Sequence, residues 1–277
     1  MHGPNVDILL NQFGSNEVVL DIGGWGCPFN RANFVMDAQP YETRGYYRTF
    51  GGLPSQGGER EHFTRETWLQ RDICDHKPWP FADKQFDFVI CSHTLEDIRD
   101  PLWVCAEMIR VGKRGYLEVP SRNAESSRGW EAPNTVGLSH HRWLIDIDAA
   151  ANSIRFLMKY HMIHSQRRFS FPRSFFRSLS DDQRVQWLFW NKTFAFSETT
   201  LHGFDEIATE LEHYVARAYA YPNWMLRADR VGSFLTGSFA RVWQKVSGYV
   251  APIRPRLTTC QDKSALGTLR VHGSDQP

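Results

Sequence analysis

Between residues 18 and 27 the chain reads Val-Val-Leu-Asp-Ile-Gly-Gly-Trp-Gly-Cys, a β-branched run that meets Asp21 and then glycines at 23, 24 and 26. A strand that stops in such a turn belongs at the carboxyl end of a parallel sheet, where bare backbone can approach a bound nucleoside cofactor. The same residues also make an ordinary strand-to-helix turn, so the chemistry rests on residues further along the chain. Asp37, Asp72 and the pair Ser92-His93 each stand at or just after a further strand-like run. Carboxylates there supply paired acceptor oxygens, and an imidazole exchanges a proton near neutral pH.

A sheet must gather these residues. Strand-like segments at 18–21, 34–37, 86–91 and 116–119, with a short extended piece at 70–73, alternate with helical or irregular stretches. That alternation predicts a mostly parallel α/β sheet with crossover helices. Asp100 and Pro101 start a helix as cap and first-turn proline, Leu102, Cys105 and Ile109 share its face, and Gly112 suits a left-handed stop. Residues 38–65 carry Tyr41, Tyr46, Tyr47, glycines and charges without periodicity, as a flap over the crevice would. Residues 143–148 and 154–160 predict an antiparallel hairpin that closes the sheet. Ser180-Asp181-Asp182-Gln183 forms a capping box for a helix running through Trp190, and Ile207, Leu211, Tyr214 and Val215 mark another amphipathic helix. The expected division is a core at 1–165, a helical and aromatic addition at 166–250, and a disordered tail at 251–277.

At 277 residues, with 42% hydrophobic and 14% aromatic residues, the chain can bury a sizeable core. A net charge of +1 gives no global electrostatic case for nucleic acid or an anionic membrane. No apolar run approaches the roughly 20 residues of a membrane span, and the amino terminus lacks the pattern of a secretory signal. Cys27, Cys74, Cys91, Cys105 and Cys260 are scattered, with no Cys-x-x-Cys pair. Reduced thiols in a cytoplasmic protein are expected, and no metal site.

In order, these segments resemble the class I S-adenosylmethionine-dependent methyltransferases, above all their small-molecule type 11 branch, over about residues 18–119. Leu20-Asp21-Ile22-Gly23-Gly24 is similar to the family's first motif, whose loop wraps the methionine part of the cofactor. Asp37 stands where the family has a carboxylate bridging the ribose hydroxyls, a vicinal diol that two acceptor oxygens suit. Asp72-Ile73 resembles the pair that addresses the adenine amino group and flanks the ring. The most specific stretch runs from Pro80-Phe81 through Phe86-Asp87 to Ser92-His93-Thr94-Leu95-Glu96-Asp97. It resembles the family's fourth strand and the loop after it. Pro28–Ala32, Val111–Ser121 and His141-Arg142-Trp143 resemble bacterial methyltransferases encoded among surface-polysaccharide genes. The chain departs from the pattern at Trp25 and Cys27, which replace glycines, and at Asp97, where relatives carry a second histidine. Only sixteen positions separate Asp21 from Asp37, so the first crossover helix is expected to be one or two turns or distorted.

The resemblance implies a Rossmann-like methyltransferase that binds S-adenosylmethionine and methylates an oxygen or nitrogen of a small or glycan-like acceptor. Cofactor contacts fall to Asp21, Gly23, Gly24, Trp25, Asp37, Asp72, Ile73 and Ser92. Methyl transfer from a sulfonium needs chiefly alignment and exclusion of water, and a base only where the acceptor loses a proton. His93, His140 and His141 are the candidate bases, and Tyr41, Glu118 and Trp143 the candidates for shaping the acceptor site. The run Arg167–Arg177 mixes cations and aromatics as a single-strand nucleic-acid surface would, yet better fits an amphipathic edge. Trp187, Phe189, Trp190 and Phe194 are read as core, with residues 169–221 roofing the acceptor site and a homodimer contact as the further use of the aromatic helices. Other chemistry on the same cofactor, a nucleic-acid methyltransferase and a non-catalytic cofactor-binding partner are the competing readings.

Overall fold

The computed structural model describes residues 1–14 and 16–226, so the tail expected over 251–277 and the end of the 166–250 segment lie outside the described residues. In chain order the strands are β1 (Val19–Ile22), β2 (Phe34–Asp37), β3 (Trp68–Gln70), β4 (Phe88–Ser92), β5 (Arg114–Pro120), β6 (Trp143–Asp148), β7 (Ser153–Met158), β8 (Val185–Asn191) and β9 (Ala195–Thr199). The α-helices are α1 (Gly3–Gln12), α2 (Tyr46–Thr49), α3 (Pro101–Val111), α4 (Arg122–Glu125), α5 (Arg173–Ser178), α6 (Asp181–Arg184) and α7 (Gly203–Ala216). One sheet has the order β3-β2-β1-β4-β5-β8 and a second the order β6-β7-β9. Within the first, β1 to β5 run parallel and β8 alone is antiparallel. No helix among the described residues is long and apolar enough to cross a membrane.

Residues Val-Leu-Asp-Ile of β1 and Phe-Val-Ile-Cys of β4 are buried throughout, the continuous apolar pattern of strands covered on both faces. One face packs on α3, where Val104, Cys105, Met108 and Val111 are buried and Leu102 and Ile109 partly so. Asp100 caps this helix, accepting from the Trp103 amide at 3.0 Å. Gly112 does not take the expected left-handed conformation; its φ is −101°. Space is what it supplies, since a Cβ there would lie 2.6 Å from Val89 Cγ2 and 3.0 Å from the Trp190 ring.

The other face is covered by Leu9 of α1 and by Phe29, Ala32, Phe63 and Trp68. Phe29 and Ala32 belong to the connection between β1 and β2, which contains no helix at all, not even the short or distorted one expected. The eleven residues 23–33 are too few for a regular crossover. Two buried side chains from a tight loop do the covering instead, and α1 supplies the rest.

The region after residue 180 departs furthest from expectation. The capping box at Ser180 and Gln183 forms, yet α6 ends after one turn at Arg184 and β8 begins. Trp187 and Phe189 pack toward one face of the sheet and Leu188 and Trp190 toward the other. Such aromatic alternation fits a strand better than a helix, and pairing from Arg114↔Asn191 to Pro120↔Val185 satisfies the backbone of β5. The antiparallel strand closing the sheet is therefore β8. The hairpin expected to close it, β6–β7, forms in register from Trp143↔Met158 to Asp148↔Ser153 but belongs to the second sheet. In the Arg167–Arg177 run the expected edge is replaced by a 3-10 turn (Arg167–Phe169) and α5. Phe169 and Phe171 are buried, and Phe171 stacks on Phe175 at 4.0 Å, so these rings pack inward. α7 forms where predicted, with Leu211 and Val215 buried.

Candidate active site

Parallel pairing of β1 with β4 brings Asp21 opposite Ile90 and Ile22 opposite Cys91, so the loops after both strands leave the sheet side by side. Gly23 turns at φ +73°, and its amide donates to Met36 O at 2.9 Å, tying the turn to β2. The three glycines make room for the chain's own side chains. A Cβ at Gly23 would lie 2.2 Å from Thr94 Oγ1, one at Gly24 2.4 Å from Asp21 Oδ2, and one at Gly26 2.5 Å from the Tyr47 ring. Gly23→Ala, which combines a left-handed backbone with a collision against buried Thr94, is expected to cost about 2–3 kcal/mol, read as a lowered denaturant midpoint. A variant as stable as the parent would show that Thr94 moves freely.

A cavity of about 290 Å³ opens at this point. Its floor is Asp21, Gly23, Gly24, Ser92 and His93, and its roof Tyr47, Leu53 and Gln56 from the flap, with Met1, Gly26 and Cys27 at the sides. The flap is anchored: Arg44 and Arg48 both pair with Glu61 at 2.8 Å, and Gln56 donates to Cys27 O. Tyr47 was named in sequence only as part of the flap, and Leu53 and Gln56, which the same flap carries, were not.

Asp21 is 3% exposed and accepts from the Phe29 amide at 2.9 Å. Burial pushes its pKa up to about 7, against the pull of that hydrogen bond and with a further push from the charge of Asp37. Asp37 accepts from the amides of Trp25 at 3.1 Å and Gln39 at 2.8 Å, and burial raises it too. Ser92 Oγ is buried without a hydrogen-bond partner at the cavity floor. A carboxyl, an orphaned hydroxyl and bare backbone on one floor are donors and acceptors of the kind a polar nucleoside with a cationic tail requires.

The other expected cofactor residues lie elsewhere. Trp25 stacks on Tyr46 at 5.1 Å and donates its indole N–H to Thr43, so it braces the flap outside the cavity. Asp72 pairs with Arg99 at 2.7 Å and accepts from the Cys74 amide, and Ile73 packs in the core. Neither lines the cavity. Tyr41 lies beneath the Arg44 guanidinium at 3.8 Å and against Trp68, also away from it. Trp143 donates to Ile98 O at 2.9 Å and faces a separate groove with His76, Arg99 and Trp103.

His93 links the cavity to two buried carboxylates. Its backbone takes φ +52°, uncommon outside glycine, and its amide donates to Glu118 O at 2.8 Å. Its Nε2 lies 2.9 Å from Glu118 Oε1 and its Nδ1 3.6 Å from Glu96 Oε1. Burial works against the charged ring, but the bond to Glu118 and the nearby charges of Glu96 and Glu118 outweigh it and raise the pKa to about 9. The fold thus holds an imidazolium at neutral pH, a form with no lone pair to act as a base. Glu118 does not line the cavity; it is fully buried and also accepts from the His2 amide at 2.9 Å and from the Tyr116 hydroxyl. A second groove shares Met1 and His93 with this cavity and adds His2, Asp181, Arg184 and Val185. His140 and His141 gather with Asp97 in a third group, at the loop before β6.

A parallel five-stranded sheet with an antiparallel sixth strand, a glycine turn after β1 and acids in β1 and β2 define a Rossmann-like α/β architecture. Residues 55–117 match the family model described as a methyltransferase domain. No curated protein matches the chain. Among solved structures, a methyltransferase described as putative from Bacillus halodurans is 15% identical over 68% of this chain and 95% of its own, with a TM-score of 0.34. The YcgJ protein of Bacillus subtilis is 18% identical over 43% of this chain and 52% of its own, with a TM-score of 0.31. A possible histamine N-methyltransferase from Thermotoga maritima is 20% identical over 43% of this chain and 51% of its own, with a TM-score of 0.27. The chain spans about half the length of these last two structures.

Proposed function

We propose that the protein transfers the methyl group of S-adenosylmethionine to an oxygen or nitrogen of a small-molecule or glycan-like acceptor in the cytoplasm. The observation that carries this reading is the cavity at the carboxyl ends of β1 and β4, with Asp21, Gly23, Gly24, Ser92 and His93 on its floor, in a chain bearing a methyltransferase domain. The cofactor supplies an activated methyl on a cationic sulfur. The residues that would hold it are Asp21, the backbone of Gly23 and Gly24, and Ser92, with Asp37 toward the ribose; Asp72, paired with Arg99, and Ile73, in the core, lie away from this cavity. At about 290 Å³ the cavity is at the small end of ligand sites, which run to about 300–1,000 Å³. Tyr47 and Leu53 of the flap roof it, and in this reading the flap lifts to admit the cofactor.

His93 is assigned a positioning part: as an imidazolium fixed by Glu118 and Glu96 it orders the wall between the cavity and the neighbouring groove. That groove, with Asp181 and Arg184 at its rim, is the acceptor's approach in this reading, and its charged lining suits a hydroxylated molecule. The free thiols of Cys27, Cys74, Cys91 and Cys105 support the cytoplasmic setting.

Calorimetry with S-adenosylhomocysteine tests the site. Asp37→Ala is expected to weaken binding by about 1–3 kcal/mol, roughly 5- to 150-fold in Kd. No heat with the parent chain, or an unchanged Kd in the variant, removes the assignment. Mass analysis of the spent cofactor then separates the chemistries, since methylthioadenosine in place of S-adenosylhomocysteine would reject methyl transfer.

A further inference from the structure

Behind His93 lies a group of side chains that the methyl-transfer reading does not use. Glu96 is 1% exposed, and neither of its carboxylate oxygens has a hydrogen-bond partner. The buried Oδ1 of its neighbour Asp97 has none either. His141, also buried, places Nδ1 2.7 Å from Glu125 Oε1. Its Nε2 faces Asp97 Oδ1 at 3.7 Å and Glu96 Oε1 at 3.9 Å. His140 packs edge-on to His141 and brings its own Nε2 to 3.9 Å from Asp97 Oδ1. One ligating atom each from Asp97, His140 and His141 falls within 4.8 Å of the others.

Distances of 3.7–3.9 Å are too long for hydrogen bonds, yet three electron-pair donors converge there. Bonds of about 2.0–2.1 Å to a tetrahedral ion put two ligating atoms about 3.3 Å apart, so an ion would draw each histidine toward Asp97 by about half an ångström and close the two histidines on each other from within 4.8 Å. Glu125 performs the outer task usual at such centres. By accepting from Nδ1 it fixes the ring's orientation, so that Nε2 faces the two carboxylates and can ligate once an ion displaces its proton. Lys159 pairs with Glu125 at 2.8 Å and His93 with Glu118 at 2.9 Å, so Glu96 stands between His93 at 3.6 Å and His141 at 3.9 Å, while Asp97 faces the two histidines.

We propose that Asp97, His140 and His141 bind a divalent transition-metal ion, with Glu96 as the balancing charge beneath it. Two imidazoles and one carboxylate are a donor set for zinc and its first-row neighbours, not for magnesium or calcium. The ion keeps a position open on the outer side, because His140 and Asp97 are 55% and 41% exposed at their side chains. That position takes a water or the oxygen of a small ligand. The site stands on its own geometry and does not depend on the cofactor reading. The adjacent pair His140-His141 was its one trace in sequence, and cysteine spacing, which predicted no metal, had no bearing on it.

The test uses the full chain, stripped with chelator and titrated with Zn²⁺ against a chromophoric competitor, and separately with Co²⁺ followed by visible absorption. One equivalent of Zn²⁺ per chain is expected, with Co²⁺ bands characteristic of nitrogen and oxygen ligation. His140→Ala and Asp97→Asn, both at half-exposed positions that the core does not need, should each weaken Zn²⁺ at least tenfold and abolish the Co²⁺ bands. Both should keep the parent's melting temperature and its Kd for S-adenosylhomocysteine. No stoichiometric uptake, or an affinity equal to the parent's in both variants, overturns the proposal.

Discussion

Glu118→Ala is expected to destabilise the fold by about 3–5 kcal/mol, the range for removing one partner from a buried charged pair. Glu118 is fully buried and accepts from His93 Nε2, the His2 amide and the Tyr116 hydroxyl, which in turn accepts from Asn5 Nδ2 at 2.7 Å. Alanine leaves the Tyr116 phenol and the His2 amide without this acceptor at a buried position and the partly exposed His93 ring without its nearer carboxylate, so these groups would have to move or take in water. At about 2–4 °C per kcal/mol for a domain of this size, the melting temperature should fall by about 6–20 °C. Glu118→Gln keeps the shape and one acceptor oxygen but not the charge, so it should fall between the two. A loss below about 1 kcal/mol in the alanine variant would mean that His93 finds another partner, and that the wall between cavity and groove is not built as described.

A second large effect comes from Asp21 and has opposite consequences for stability and binding. Its carboxyl is carried from an ordinary 3.8 to about 7, chiefly by burial. At 1.36 kcal/mol per unit, that is a penalty of about 4 kcal/mol once the group is forced to ionise. Linkage gives the sign. Below pH 4 the group is protonated in both folded and unfolded chains and contributes nothing. As pH rises from about 4 to 7 the unfolded chain loses this proton while the folded chain keeps it, so stability falls, and above about 7 the whole penalty stands. Asp21→Asn, which keeps an acceptor for the Phe29 amide, should therefore gain stability at pH 8.5 and little at pH 4. A cationic ligand in the cavity favours the ionised carboxyl. Affinity for S-adenosylmethionine should thus rise through pH 7 in the parent, with proton release detectable by calorimetry in buffers of different ionisation enthalpy. In Asp21→Asn the affinity should be weaker and flat with pH. Stability of the variant equal to the parent's at pH 8.5, together with pH-independent binding in the parent, would show Asp21 to be solvated and ionised throughout.

Local sequence carried much of the sheet. The strands β1, β2, β4 and β5 appear within a residue or two of their predicted places, except that β5 extends two residues earlier. Continuous apolar runs that end in an acid or a glycine have few other stable states. The α3 start was equally legible, because Asp100 and Pro101 satisfy the helix terminus with their own atoms. The stretch 181–190 shows the limit. Its capping box is a local signal and forms, but the residues beyond it fit a helix or a strand by periodicity alone. The open edge of β5 decides between them, since seven residue pairs there outweigh the intrinsic preference of a short helix. Likewise α1 carries too few buried residues, Asn5 and Leu9, to be read from pattern, and it is held by the sheet face it covers.

The site divides in the same way. Sequence by itself determined that Asp21, Gly23, Gly24, Ser92 and His93 meet, because each stands at or just past the end of a strand in one parallel sheet, and parallel strands end on the same side. Tertiary structure alone decided what those residues are chemically. The charge on His93 depends on Glu118 and Glu96, which sequence places 25 and 3 positions away with no sign that either turns inward. The convergence of Asp97 with His140 and His141 depends on a loop that folds back over the end of β4. Types and order of residues fix which groups are present, but proton affinity and ligand geometry are set by neighbours distant along the chain, through burial and charge that no local pattern encodes.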